Sequence, residues 1–236
     1  MAMNRVQLQK GLSLPEFLQR FGNQEQCATA LETARWPDGF HCPQCDGTSH
    51  SVLKNSWRKT FQCSHCRHQT SLIAGTLFQG TLLPLTIWFL AIYLISQAKT
   101  GLSALALKRQ IGVSYSTAWR IQHKLMQAML EREEIYTLQG VVQADNAYLG
   151  GEHPGGKSGR GSENKVPFVA AVSVDERGHP IYAKLTAIPG FTREAVQDWA
   201  HNALDSGCSV LTDGLGCFNG ISDAGRRHDV IVAGGP

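Results

Sequence analysis

Phe40-His41-Cys42-Pro43-Gln44-Cys45 is followed, after seventeen intervening residues, by Cys63-Ser64-His65-Cys66. Two C-x2-C knuckles at this separation supply four soft thiolates at the spacing a tetrahedral structural zinc ion needs. One such knuckle arises by chance; two at ribbon spacing seldom do. The pattern predicts a zinc ribbon over residues 36–72, with Cys42, Cys45, Cys63 and Cys66 as the Zn2+ ligands. No secretory pattern precedes the cysteines, so a reducing compartment is expected. That disfavours two disulfides or a redox pair. His41, His65 and His68 crowd the knuckles, but four sulfurs already fill the shell. Cys27, Cys208 and Cys217 have no such spacing and read as small core residues or free thiols.

Charge is unevenly spread. The chain carries 22 Lys and Arg against 19 Asp and Glu in 236 residues. No acidic residue lies between Asp46 and Glu131, whereas Lys54, Arg58, Lys59, Arg67, Lys99, Lys108, Arg109, Arg120 and Lys124 all do. A zinc ion on four thiolates subtracts about two charges and leaves this stretch strongly basic. One-signed charge on this scale points to a polyanion, most often nucleic acid, with a merely solvated surface as the alternative. The longest apolar run, Leu82 to Ile95, contains Pro84 and Thr86 and is short for a membrane span. Pro84 suits the first turn of a buried helix.

The chain reads as an α/β protein in several parts. Residues 1–35 have helical, amphipathic spacing (Leu14, Phe17, Leu18, Phe21, then Cys27, Ala30 and Leu31). The ribbon follows, and residues 80–135 form a helical region. There an apolar helix runs from Pro84 to Gln97 and a second from Ser103 to Gln110. Gly112 breaks the pattern, and Ser114 is placed to cap a third helix carrying Trp119, Ile121, Leu125 and Met129. Leu107, Ile111, Val113, Ala118 and Ile121 fall where a helix-turn-helix buries apolar side chains, although Lys108 stands where that motif packs a small residue. The alternative is an ordinary helical hairpin. In the first reading the recognition helix begins at Tyr115. Tyr115, Ser116, Thr117 and Arg120, with Lys108, Arg109 and Lys124 nearby, then reach base edges or phosphates.

Beyond Gln139 the period changes to that of strands, and residues 139–236 form the last part. Short strands are expected at Val141–Ala144, Pro167–Val174 and Ile181–Ile188. A helix capped by Thr192 and a strand at Ser209–Leu211 follow, giving the order β-β-β-α-β. Asp145 and Asp213 stand at or just past the ends of the first and fourth strands. With those strands adjacent, the two carboxylates face each other and form a hard-oxygen site for Mg2+ or Mn2+. Two-metal chemistry at such a site activates a water or 3′-hydroxyl and stabilises the leaving oxygen of a phosphodiester. The alternative is that each aspartate is a turn residue. Gly151-Glu-His-Pro-Gly-Gly156-Lys157-Ser158 matches G-x4-G-K-S. A phosphate loop needs a helix starting at its Lys-Ser, and Gly159 and Gly161 follow instead, so no nucleotide site is expected. Lys157, Arg160 and Lys165 touch DNA phosphates or simply solubilise the loop.

Together these motifs resemble the bacterial insertion-sequence transposases that join an N-terminal zinc ribbon to an RNase H-like DDE domain. The residues that carry the likeness are Phe40–Cys45, Phe61-Gln-Cys63-Ser-His-Cys66-Arg67, Thr70-Ser-Leu-Ile-Ala-Gly75-Thr-Leu-Phe78, Ile111–Trp119, Asp145-Asn-Ala-Tyr-Leu-Gly-Gly151 and Leu211-Thr-Asp213-Gly214. The likeness implies that Asp145 and Asp213 are the first two members of a catalytic triad. It also implies double-stranded DNA, both element ends and target, as the partner, and a homo-oligomer assembled on it. A cytoplasmic, nucleoid-associated location follows. Asn146 stands where such proteins often carry Glu. The family's third acidic residue lies on a later helix, and Asp223 and Asp229 come too early for it. The mixed sheet with flanking helices is therefore expected to be incomplete at the C-terminal end, and activity to be impaired.

Overall fold

The computed structural model describes residues 11–53, 59–98, 100–150 and 165–231. The chain divides into two compact units, with the boundary between Leu130 and Glu131.

In the first unit the helix starts are written locally. Ser13 and Glu16 form a reciprocal capping box at α1 (Leu14–Phe21), and Asn23 with Gln26 repeats it at α2 (Gln24–Arg35). Each box satisfies two amide donors that a helix start leaves open. The expected N-terminal helical segment is thus two helices. β1 (His50–Leu53), β2 (Thr60–Cys63) and β3 (Gln69–Ser71) then form an antiparallel sheet in that order. Its core is small: Phe40, Phe61 and Leu72, with Trp36 edge-on to Phe61 at 4.9 Å.

Three helices follow. α3 (Leu85–Gln97) has Pro84 as its N-cap and buries Leu85, Trp88 and Ala91. Among the described residues no helix is long and apolar enough to cross a membrane. Ser103 caps α4 (Ala104–Ile111), which ends on Gly112 in the left-handed region, φ 70°. A Cβ there would be strained, which is why the helical pattern breaks at a glycine. The Ser114 hydroxyl then accepts the Thr117 amide at 3.2 Å and starts α5 (Tyr115–Ile135). α5 buries Ala118, Ile121 and Leu125. Trp119 and Met129, which the apolar spacing groups with them, point outward at 47% and 63% exposure.

The second unit is a five-stranded sheet in the order β6-β5-β4-β7-β8. β4 (Val141–Leu149) pairs antiparallel with β5 (Val166–Val174) along its whole length. β4 is therefore longer than expected, and Asp145 lies inside it rather than at its end. β5 turns at Asp175, whose carboxylate accepts the Arg177 and His179 amides, into β6 (Pro180–Ala187). After α6 (Arg193–Ala203), β7 (Ser209–Thr212) enters parallel to β4. A 3-10 turn (Gly216–Asn219) and α7 (Gly220–Asp223) lead to β8 (Arg227–Val230), parallel to β7. β8 is a further strand beyond the expected order β-β-β-α-β. Its sequence, Arg-His-Asp-Val, has no strand signature of its own, and β7 supplies its hydrogen-bond partners.

α6, the 3-10 turn and α7 cover one face of this sheet over Val142, Ala144, Val169, Ala171 and Val210. Gly220 makes the closest approach. A Cβ built there would stand 2.2 Å from the Arg193 carbonyl oxygen and 2.9 Å from the Gln197 amide nitrogen. Neither backbone can yield without moving α6. Gly220→Ala is expected to cost about 3 kcal/mol by overpacking. Urea unfolding of the variant measures this, and a change within about 0.5 kcal/mol, the range of an ordinary surface substitution, would disprove the contact.

Candidate metal centres and nucleic-acid interface

The two knuckles of the ribbon have one backbone design. Cys42 and Cys63 donate their amides to the carbonyls of Gly47 and His68, while the Asp46 and Arg67 amides return to the carbonyls of Cys42 and Cys63. Asp46 and Arg67 each follow the second cysteine of a knuckle and adopt left-handed φ of 58° and 61°. The four ligand atoms lie within 4.8 Å of one another, with Cys42 to Cys66 at 3.5 Å and Cys45 to Cys63 at 3.6 Å. A tetrahedron with zinc–sulfur bonds of about 2.3 Å has edges of about 3.8 Å, so the set fits the ion. Without metal the sulfurs do not share charge evenly. The Cys66 amide, and then the His65 amide, hold Cys63 down to about 6. At Cys45 the Gly47 amide favours the thiolate, but the Cys66 sulfur and burial outweigh it and push the thiol up to about 12. A bound dication removes this conflict, because it compensates all four thiolates together.

The second centre is on the sheet. β4 and β7 run in register, with Gln143 beside Leu211. Two residues further along both segments stand Asp145 and Asp213. Val142 and Ala144 are buried under α6, whereas Val141, Gln143 and Asp145 alternate onto the opposite, exposed face. Val210 and Thr212 are buried likewise, and Asp213 is exposed. Each carboxylate has one oxygen fixed by a nearby amide: Asn146 donates to Asp145 Oδ1 at 2.7 Å, and Leu215 to Asp213 Oδ1 at 3.1 Å. Among the described residues the other oxygen of each has no such bond, and it is a hard donor of the type Mg2+ or Mn2+ prefers. Neither Asp223 nor Asp229 is comparably free. Arg193 holds Asp223 in a two-point ion pair that keeps its carboxyl below the usual range, and Arg227 pairs with Asp229 at 3.1 Å.

Comparison with known proteins covers both units. Residues 22–69 match the transposase zinc-ribbon domain, and residues 137–235 match the ISXO2-like transposase domain. Both matches are to transposase domains, one over the ribbon and one over the sheet unit. The chain is also similar to an uncharacterized protein in the transposable element ISH50 of Halobacterium salinarum. The two are 27% identical over 92% of this chain and 77% of that protein. In this family setting the four-cysteine cluster supports structural zinc binding.

The candidate DNA-contacting residues fall into distinct groups. Tyr115, Arg120 and Arg109 are exposed, and Lys108 is half-buried in the last turn of α4. The Ser116 and Thr117 hydroxyls lie 3.1 and 2.8 Å from Ser114 Oγ, within the cap of α5. Lys124 is committed elsewhere: its Nζ donates to the carbonyls of Leu77 and Gln79 at 3.2 and 3.5 Å and lies 5.8 Å from the Trp88 ring centroid. Lys165 precedes β5 and is half-buried. Lys157, Arg160 and the glycine-rich loop fall outside the described residues. The sequence reading omitted Trp119 and His123 from this surface, where their rings meet at 3.9 Å between centroids. Their spacing of four on a helix was the available signal, but apolar spacing alone assigns Trp119 to the core.

Proposed function

We propose that this chain binds the ends of a mobile DNA element and catalyses metal-dependent phosphodiester cleavage and strand transfer. The observation that carries the reading is the parallel register of β4 and β7, which brings Asp145 and Asp213 to one level on the exposed face of the sheet. The strand order, with three antiparallel strands followed by two parallel ones, supports an RNase H-like DDE domain over residues 139–236. Mg2+ or Mn2+ held by the two aspartates supplies a nucleophile at neutral pH and charge compensation at the leaving oxygen. The protein's part is to fix the carboxylates, through the Asn146 and Leu215 amides, and to present DNA to them. Cleavage of DNA bearing the element's ends, assayed with the full chain and Mn2+, tests the reading. Binding without metal-dependent cutting overturns it.

The turn between α4 and α5 supports a helix-turn-helix, with α5 as the recognition helix. Tyr115, Arg120 and Arg109 are then the side chains free to reach DNA, and a homo-oligomer on the two element ends follows from the same reading. Each phosphate neutralised by Lys or Arg releases condensed counterions, so binding is expected to weaken between 50 and 200 mM salt by about tenfold from Arg109 and Arg120 alone, and by more for each further Lys or Arg that reaches a phosphate. Arg120→Ala should weaken binding further. Lys124→Ala should instead lower the melting temperature, since its amine ties α5 to the turn at Leu77–Gln79. Fluorescence anisotropy across a salt series and a thermal melt separate the two effects. A flat salt dependence contradicts the DNA reading.

A further inference from the structure

We propose that His228 is a positioning residue for Asp213, acting through the Thr212 hydroxyl. The proposal rests on the reading of Asp213 as a metal ligand, and the test below separates the two.

β8 runs parallel to β7, with Val210 beside His228 and Thr212 beside Val230. On the face under α6, His228 reaches one step along the strand, and its Nε2 lies 2.8 Å from Thr212 Oγ1. Thr212 is 4% exposed. The same hydroxyl oxygen accepts the Gly214 amide at 3.2 Å. A hydroxyl has one hydrogen to give. Its oxygen also has two lone pairs, so it accepts the Gly214 amide and shares one further hydrogen bond with Nε2, whose direction follows the imidazole tautomer; in a neutral ring with its hydrogen on Nδ1, Nε2 is the acceptor. Burial favours this neutral ring. The hydroxyl is thereby held at both ends and spans Asp213, from the residue before it to the amide after it. β8 fixes the turn at two further points. The Ile231 amide donates to the Thr212 carbonyl at 2.9 Å. Gly214, at φ 84°, lies so close over Val230 that a Cβ would stand 2.6 Å from Val230 Cγ1. Asp213 lies past the last residue of β7 and, among the described residues, has no ladder bonds of its own. Its height and rotation are set by this turn, and His228 is the group that orients the hydroxyl at the turn's centre.

A purely structural His–Thr pair would change melting temperature and leave metal affinity alone. Positioning predicts the reverse emphasis. The experiment is a Mn2+ titration of the full chain, followed by paramagnetic broadening of the Asn146 and Leu215 amide signals. Zinc content and thermal melts are recorded for each variant as a check of folding. Thr212→Val, which removes only the hydroxyl, and His228→Leu are each expected to weaken Mn2+ binding about tenfold, the lower end for loss of a group that orients a ligand. His228→Gln, which keeps an acceptor at similar reach, should recover most of that loss. The double variant Thr212→Val/His228→Leu should be no worse than either single change, because the two act through one bond. Unchanged Mn2+ affinity in folded Thr212→Val overturns the proposal, as does a Gln variant as poor as the Leu variant. Asp213→Ala provides the separate control. If it binds Mn2+ as the unmodified chain does, the metal-site reading itself fails. If it loses binding while Thr212→Val keeps it, only the role of His228 falls.

Discussion

Removing zinc from the chain is expected to unfold the ribbon outright, at a cost of about 10 kcal/mol of apparent binding free energy at neutral pH. The strands around the site are three or four residues long, and the core beneath them is little more than Phe40, Phe61, Leu72 and Trp36. That much apolar surface does not outweigh the backbone entropy of ordering the segment. The four sulfurs also resist one another without metal, with Cys63 near 6 and Cys45 near 12. Acidification works in the same direction as a chelator, because every ligand sulfur must lose its proton to bind. Trp36 gives the readout, since its ring contacts Phe40 and Phe61 at 5.0 and 4.9 Å. Chelation or Cys63→Ser should shift its emission to that of solvated tryptophan. A zinc-free chain with an unchanged Trp36 environment would contradict this account, as would elemental analysis showing no zinc in the purified protein.

Asp145→Ala and Asp213→Ala are each expected to reduce metal-dependent DNA cleavage by about a thousandfold or more, equivalent to roughly 4 kcal/mol of transition-state stabilisation. Both side chains are exposed, and among the described residues each makes one hydrogen bond, within its own turn or strand. Their removal should therefore leave the melting temperature within a few degrees of the unmodified chain. Loss of activity with an intact fold is the signature of a site rather than of packing. The decisive measurement is strand cleavage with Mn2+ on DNA bearing the element's ends, at equal DNA occupancy for all variants. Cleavage that survives Asp145→Ala would place the chemistry elsewhere.

The zinc ligands were legible because a metal reads local spacing: two cysteines three residues apart on one tight turn need no long-range information. Helix starts were legible for a similar reason. Ser114 and Thr192, read as caps, each accept an amide three residues ahead; Ser13, Asn23 and Ser103 follow the same rule and were not singled out. The reading of Asp145 and Asp213 as a facing pair had to assume that the first and fourth strands adjoin, since nothing between the two residues encodes it; the strand order supplies that adjacency.

Where the reading fell short, the missing information was a distant partner. β4 extends past Asp145 because Val166–Phe168 pair with Ala147–Leu149, and β8 is a strand only because β7 lies beside it. Trp119 is an apolar residue at helical spacing, yet the neighbours of α5 decide which side is inside. Lys184 is 6% exposed, with its amine on the carbonyls of Glu133 and Tyr136 at 2.8 Å, a lysine that composition alone assigns to the surface. The sequence by itself determined the four-cysteine cluster, the caps at Ser114 and Thr192 and the one-signed charge of the middle of the chain, since each is written in local spacing. Only the tertiary structure decided the order of strands, the face on which Asp145 and Asp213 emerge, and the bond from His228 to Thr212. Those depend on hydrogen bonds and packing between residues far apart in the chain, and no local pattern carries their partners.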